Sequence, residues 1–190
     1  MSTTTLSATA ERPASTEIAS DPEIPAVAAD GSLYPIGKMA AHRQGVLHVA
    51  VSIFLVSGGR LLIQRRAEGK YHCGGLWANT CCSHPHWRER PADAATRRLT
   101  EELGIAGVPL TPADELVYRA DVGAGLVEHE HVHLFRGDPS DDLEIGPNPD
   151  EVMETRWIAY EDLRDEIGRA PARFAPWLRI YAERRPDLMR

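Results

Sequence analysis

Two stretches of this chain gather side chains that ligate metals or carry protons. Residues 75–85 read GLWANTCCSHP, with Cys81 and Cys82 side by side and His84 two positions on. Residues 126–135 read LVEHEHVHLF. On residue types alone the first stretch admits a metal knuckle, a redox pair, a nucleophile or a buried turn. The second is more constrained. Successive side chains of a strand point to opposite faces, so Glu128 and Glu130 share one face with Val132 and Leu134, while His129, His131 and His133 take the other. Three histidines are the more conspicuous metal signal, yet carboxylates beside apolar neighbours are the groups that burial penalises until they are paired. The Glu face is therefore the candidate functional face, and the His face is expected to meet solvent.

Glu128 and Glu130, one strand repeat apart, repel each other, and a cation between them relieves the repulsion. The candidate co-ligands are His42 in KMAAH, His48, which alternates with the small Ala50 and Ser52, and His84. Three imidazoles with two carboxylates suit Mn, Mg, Zn or Fe, and ligand type does not choose among them. Near these motifs lie the cations Lys38, Arg66, Lys70 and Arg98, which together are suited to a phosphorylated group. Arg98 also stands four residues before Glu102 on one helix face, which by itself reads as an ordinary ion pair.

A fold must bring these groups together. The chain has 190 residues, 43% of them hydrophobic, enough for one substantial core. Its opening is rich in Ala, Ser, Thr, Pro and Glu and lacks apolar periodicity, which predicts a disordered extension over 1–30 and one domain over 31–190. LHVAVSIFLV and RLLIQRR, either side of SGG, predict a hairpin. PADAATRRLTEELG predicts a helix with Pro91 early and Gly104 just past its end. ELVYRADV, LVEHEHVHLF and VMETRWIA predict strands; EDLRDEI and ARFAPWLRIYAERR predict helices, with Pro176 at a start or a kink. The expected class is α+β, a mixed β-sheet core with flanking helices.

Composition narrows the partners. A net charge of −7 without a basic run argues against nucleic acid. There is no apolar run of ~20 residues and no basic start followed by an apolar core, so neither a membrane span nor an export signal is expected. Three cysteines, Cys73, Cys81 and Cys82, crowd into ten positions, which fits a reducing cytoplasm better than a disulfide framework.

The helix stretch resembles the Nudix box, G-x5-E-x7-R-E-U-x-E-E-x-G-U with U a bulky aliphatic. Laid on from Ser83, the pattern meets Glu89, Arg97, Leu99, Glu101, Glu102, Gly104 and Ile105. Two positions depart: Ser83 replaces the first glycine, and Arg98 replaces a glutamate that Nudix hydrolases use in binding their catalytic metal. Within that superfamily the chain resembles the type I isopentenyl-diphosphate isomerases. Their motif W-[TS]-N-[TS]-x-C-[GS]-H-P is matched by WANTCCSHP with Ala78 the one deviation, and KMAAH, the LH at 47–48, Tyr118-Arg119 and EHE follow the same family pattern.

The resemblance implies a Nudix-like mixed sheet and interconversion of isopentenyl and dimethylallyl diphosphate in isoprenoid precursor supply. It makes Cys82 the active-site thiol and Cys81 a packing neighbour. It assigns His42, His48, His84, Glu128 and Glu130 to a site for Mn2+ or another divalent metal, and Glu102 to a second, substrate-bridging Mg2+. Lys38, Arg66, Lys70 and Arg98 become diphosphate contacts, Tyr118 a partner of the catalytic Glu130, and Trp177 an aromatic wall. The partners implied are the two diphosphates, with neither nucleic acid nor membrane, for a cytoplasmic monomer or weak homodimer.

Moving this double bond means adding a proton at one carbon and removing another two carbons away, through a tertiary carbocation, so an acid and a base must face each other across a dry pocket. With that demand the CCSHP stretch reads as a proton-transfer thiol at Cys82 and a metal ligand at His84. Adjacent cysteines would form a strained disulfide, and a zinc knuckle lacks its second Cys/His pair at the usual spacing. Two rivals stand beside this reading. A Nudix hydrolase would need a substitute for the glutamate missing at Arg98, and a catalytically silent Nudix-fold binding module would need neither Cys82 nor Glu130.

Overall fold

HVAVSIFLV, residues 48–56, is apolar at almost every position, as a strand covered on both faces must be. In the computed structural model, which describes residues 21–190, this segment is the central strand β3, His48–Ser57. Around it are β1 (Glu23–Val27), β2 (Leu33–Gly37), β4 (Arg60–Arg66), β5 (Trp77–Ala78), β6 (Cys81–Ser83), β7 (Thr111–Gly123), β8 (Leu126–Gly137) and β9 (Val152–Ala159). The helices are α1 (Lys38–Gln44), α2 (Pro91–Leu103), α3 (Tyr160–Arg169) and α4 (Pro176–Arg184), with short 3-10 turns at Pro171–Arg173 and Pro186–Met189. None of the described helices is long and apolar enough to cross a membrane.

The sheet is mixed. β3 runs parallel to β8 and antiparallel to β1, β4 and β6; β7 pairs antiparallel with β8, and β9 with β4. Each face of β3 meets its own core. Val51, Ile53 and Leu55 pack with Ala94, Leu99 and Leu103 of α2, whereas Ala50 and Phe54 pack with Trp177, Leu178 and Tyr181 of α4. Pro176 starts α4 rather than kinking it, where its missing N–H costs nothing. Gly104 ends α2 at φ +66°. That backbone favours glycine, and a Cβ there would stand 2.6 Å from the Gly146 carbonyl oxygen.

The ordered domain starts earlier than Gly31. Residues 23–27 form β1, pair along their length with β2, and bury Ile24 and Ala26. EIPAV carries only a short alternation interrupted by proline, too little for composition to register. The rest of the expected extension, residues 1–20, lies outside the described residues. Helix α1 is also absent from the sequence reading, as are the short strands β2, β5 and β6; at seven residues α1 is too short to show a period, and Asp21 accepts the Met39 N–H at its start.

Candidate active site

Strand register assembles the site. β8 places Glu130 opposite Tyr118 on β7 and opposite His48 on β3, so three chemically active side chains form a row across three strands. On the other flank of β3, β6 places Cys82 opposite Ser52. Strand alternation then separates the two cysteines. Cys81 is sealed into the core beneath α2, and Cys82 faces a cleft.

That cleft is lined by Lys38, Arg66, Lys70, Cys82, His84, Arg98, Glu102, Tyr118, Glu128, Glu130 and Trp177, all singled out in the sequence. His42 and His48, the remaining two, are fully buried against Glu128 rather than in the lining. Tyr71, His72 and Ser83 complete the wall.

The imidazoles converge on one oxygen. Glu128 Oε2 lies 3.1 Å from His42 Nε2, 3.6 Å from His48 Nε2 and 4.0 Å from His84 Nε2. His84 Nε2 is also 3.2 Å from Glu130 Oε1 and 3.1 Å from His48 Nε2. His42 Nδ1 and His48 Nδ1 donate to the Lys38 and Val46 carbonyls at 2.6 and 2.8 Å, which turns both Nε2 lone pairs inward. Among the described residues, buried His42 Nε2 and Glu128 Oε2 have no hydrogen-bond partner. Orphaned, convergent donors of this type fit a divalent cation.

The neighbouring carboxylates differ. Burial opposes ionisation of Glu128, but the contacts of His42, His48 and His72 outweigh it and hold its carboxyl well below the usual range. Burial, then the charge of Glu128, push Glu130 well above that range. Tyr118 Oη donates to Glu130 Oε2 at 2.6 Å.

Cys82 is held by groups that strand patterning does not show. Its thiol donates to Asn79 Oδ1 at 2.8 Å, and that amide is oriented by its own donation to the Ile53 and Cys81 carbonyls. Ser52 Oγ lies 3.1 Å from the sulfur and 2.9 Å from Tyr181 Oη. Because the thiol donates to Asn79, the consistent direction is Tyr181 to Ser52 to Cys82. Burial raises the thiol's pKa, so the sulfur keeps its proton at neutral pH.

On the cationic side of the cleft, Arg98 donates to Glu102 at 2.7 Å and to Glu151 at 3.1 Å, and Lys70 also pairs with Glu151. Glu102 accepts from Gln64 through its other oxygen. Burial lowers Lys38 to about 8. Arg66 lies over the Trp177 ring at 5.2 Å. Glu151 is a site neighbour that sequence reasoning missed, and its only signal is tertiary. On the opposite face of β8, His131 and His133 are half-buried rather than freely solvated, with both rings against Glu115 of β7.

Residues 46–178 match the NUDIX domain family. The chain is 54% identical over 160 residues to an isopentenyl-diphosphate Delta-isomerase of Cereibacter sphaeroides, covering 84% of this chain and 90% of that protein. It belongs to the isopentenyl-diphosphate isomerases of the Nudix superfamily. A second member, from Rhodobacter capsulatus, is 47% identical over 84% of this chain and 91% of its own length. Among solved structures, a Deinococcus radiodurans protein superposes with a TM-score of 0.69 at 17% identity, covering 85% of this chain and 98% of that one, a likeness of fold. For this isomerase family member, Glu89 and Arg97 of the Nudix box form a two-point ion pair that ties α2 to the preceding loop, away from the cleft lining.

Proposed function

We propose that the chain interconverts isopentenyl and dimethylallyl diphosphate, with Cys82 and Glu130 as the proton-transferring pair. The observation that carries this reading is that a neutral, half-buried thiol and a buried carboxyl with raised pKa line one cleft beside four cations. In the forward direction one of the pair adds a proton to the terminal alkene carbon, and the other removes one from the carbon next to the diphosphate-bearing methylene. The tertiary cation between these steps needs a dry pocket. Trp177 supplies π density, worth on the order of 2 kcal/mol to a desolvated cation.

The other residues orient and exclude. Tyr118 fixes the Glu130 carboxyl, while Asn79 and Ser52 fix the Cys82 thiol. Lys38, Arg66, Lys70 and Arg98 anchor the diphosphate away from the reacting carbons, which orients the alkene without touching it. Incoming phosphate oxygens compete with Glu151 for Lys70 and Arg98. His42, His48, His84, Glu128 and Glu130 would hold Mn2+ or another divalent ion. When bound, that ion supplies the positive charge that lets two buried carboxylates coexist and tunes the proton affinity of Glu130. Glu102 keeps free lone pairs beside its bonds to Arg98 and Gln64, and would meet a Mg2+ arriving with the diphosphate.

The test is proton and phosphorus NMR of isopentenyl diphosphate with metal-loaded protein in deuterated buffer. Dimethylallyl diphosphate carrying deuterium, absent with Cys82→Ala, is the expected result. Release of inorganic phosphate or diphosphate would indicate a hydrolase, and unchanged substrate with bound metal a binding module.

A further inference from the structure

His72 is a fourth buried histidine of the site and, with His84, lines the cleft; it lies in the connection between β4 and β5. Its Nε2 stands 2.6 Å from Glu128 Oε1, a close ion-pair contact outside hydrogen-bond alignment, and neither ring nitrogen has a hydrogen-bond partner among the described residues. The other oxygen of the same carboxylate, Oε2, faces His42, His48 and His84. Glu128 is thus divided, with one oxygen toward the convergent imidazoles and one toward His72. The connection that carries His72 is closely packed. Its carbonyl accepts from Arg66 Nη2 at 3.2 Å, Cys73 takes φ +51°, and a Cβ at Gly74 would stand 2.5 Å from the Glu68 carbonyl oxygen. The ring is wedged edge-on against Tyr71 and Trp177, with centroids 4.3 and 5.6 Å away.

We propose that His72 is a positioning residue for the divalent-ion site: it engages Glu128 Oε1, so that Glu128 offers Oε2 alone to the ion. The inference rests on the reading that His42, His48, His84, Glu128 and Glu130 hold that ion. A carboxylate free on both sides can chelate with both oxygens or rotate between them, and a partner on one oxygen removes that freedom. His72 also touches Trp177, so one ring sets both the carboxylate and the aromatic wall.

The experiment measures Mn2+ binding from the electron paramagnetic resonance signal of free Mn2+, using chelator-treated full-length protein and no substrate. Wild type, His48→Gln, His72→Leu and His72→Gln are compared. Wild type is expected to bind, and His48→Gln, which removes a ligand, to lose the site. His72→Leu fills similar space without a donor and is expected to bind about 10–100-fold more weakly. His72→Gln, whose amide N–H can stand where Nε2 stands, is expected to recover most of that loss. Equal affinity in wild type and His72→Leu would overturn the proposal. So would a His72→Gln variant as weak as His72→Leu, since that pattern belongs to packing alone. A wild type that binds no Mn2+ would overturn the ion-site reading itself, and the proposal with it.

Discussion

Tyr118→Phe isolates one hydrogen bond in the proposed proton-transfer machinery. The Tyr118 hydroxyl donates to Glu130 Oε2 at 2.6 Å, both residues are buried, and no other protein group donates to that oxygen among the described residues. The substitution keeps the ring that packs edge-on against Tyr181, 5.9 Å between centroids. As acid or as base Glu130 passes through its carboxylate form, to which a hydrogen bond contributes about 1.5–3 kcal/mol, and each ~1.4 kcal/mol is tenfold in rate. The expected loss in kcat/KM is therefore roughly 10–150-fold. The sign of the pH effect is also fixed. Tyr118 lowers the proton affinity of Glu130, against burial and Glu128, which raise it. Without the hydroxyl, whichever limb of the kcat/KM profile reports Glu130 moves to higher pH, whether the group acts as acid or as base. The assay is deuterium incorporation into dimethylallyl diphosphate across a pH series, with thermal unfolding alongside. An unchanged rate and profile, or a shift to lower pH, would refute the reasoning; so would a rate loss matched by general unfolding.

Lys38, lowered to about 8 by burial, should lose its charge as pH rises through that value, so KM for isopentenyl diphosphate rises above pH 8 in wild type and stays flatter in Lys38→Arg. Stability moves the opposite way: between the folded value and the usual lysine value of 10.5 the unfolded chain binds more protons, so this residue's contribution to stability increases with pH over that window. Gly104→Ala should destabilise the fold by more than the ~1 kcal/mol of an ordinary left-handed alanine, read as a lowered urea midpoint, because its Cβ also meets the Gly146 carbonyl. A saturating divalent ion, at about 100 times its dissociation constant, should stabilise the fold by ~2.7 kcal/mol, read as a rise in Tm that a chelator reverses.

Period-two alternation made the β8 reading possible, because a strand with one apolar face commits every second residue, and Glu128 and Glu130 travel with Val132 and Leu134. Gly104 and Pro176 were legible for a similar reason, as each is tied to one helix terminus. Ser52, Asn79 and Tyr181 were not. Ser52 and Tyr181 are 129 residues apart in the chain, and no local pattern announces that their hydroxyls meet. His72 sits in a connection without periodicity, so its direction is set only when β4 and β5 pair. β1 escaped because a five-residue segment with a proline has little composition of its own.

The alternating run EHEHVH also has a consequence for folding. A slip of β8 by one residue against β3 and β7 would present imidazoles where carboxylates now point, so the strand carries two threadings, each rich in metal donors. An ion captured early by the nascent chain has no means of telling them apart. Val132 and Leu134 do: both are fully buried in the native alignment, and the slip would move them onto the half-buried face that His131 and His133 now occupy, at up to roughly 1.5–3 kcal/mol each. Two aliphatic side chains are thus expected to select the register of a candidate site whose donors are all polar.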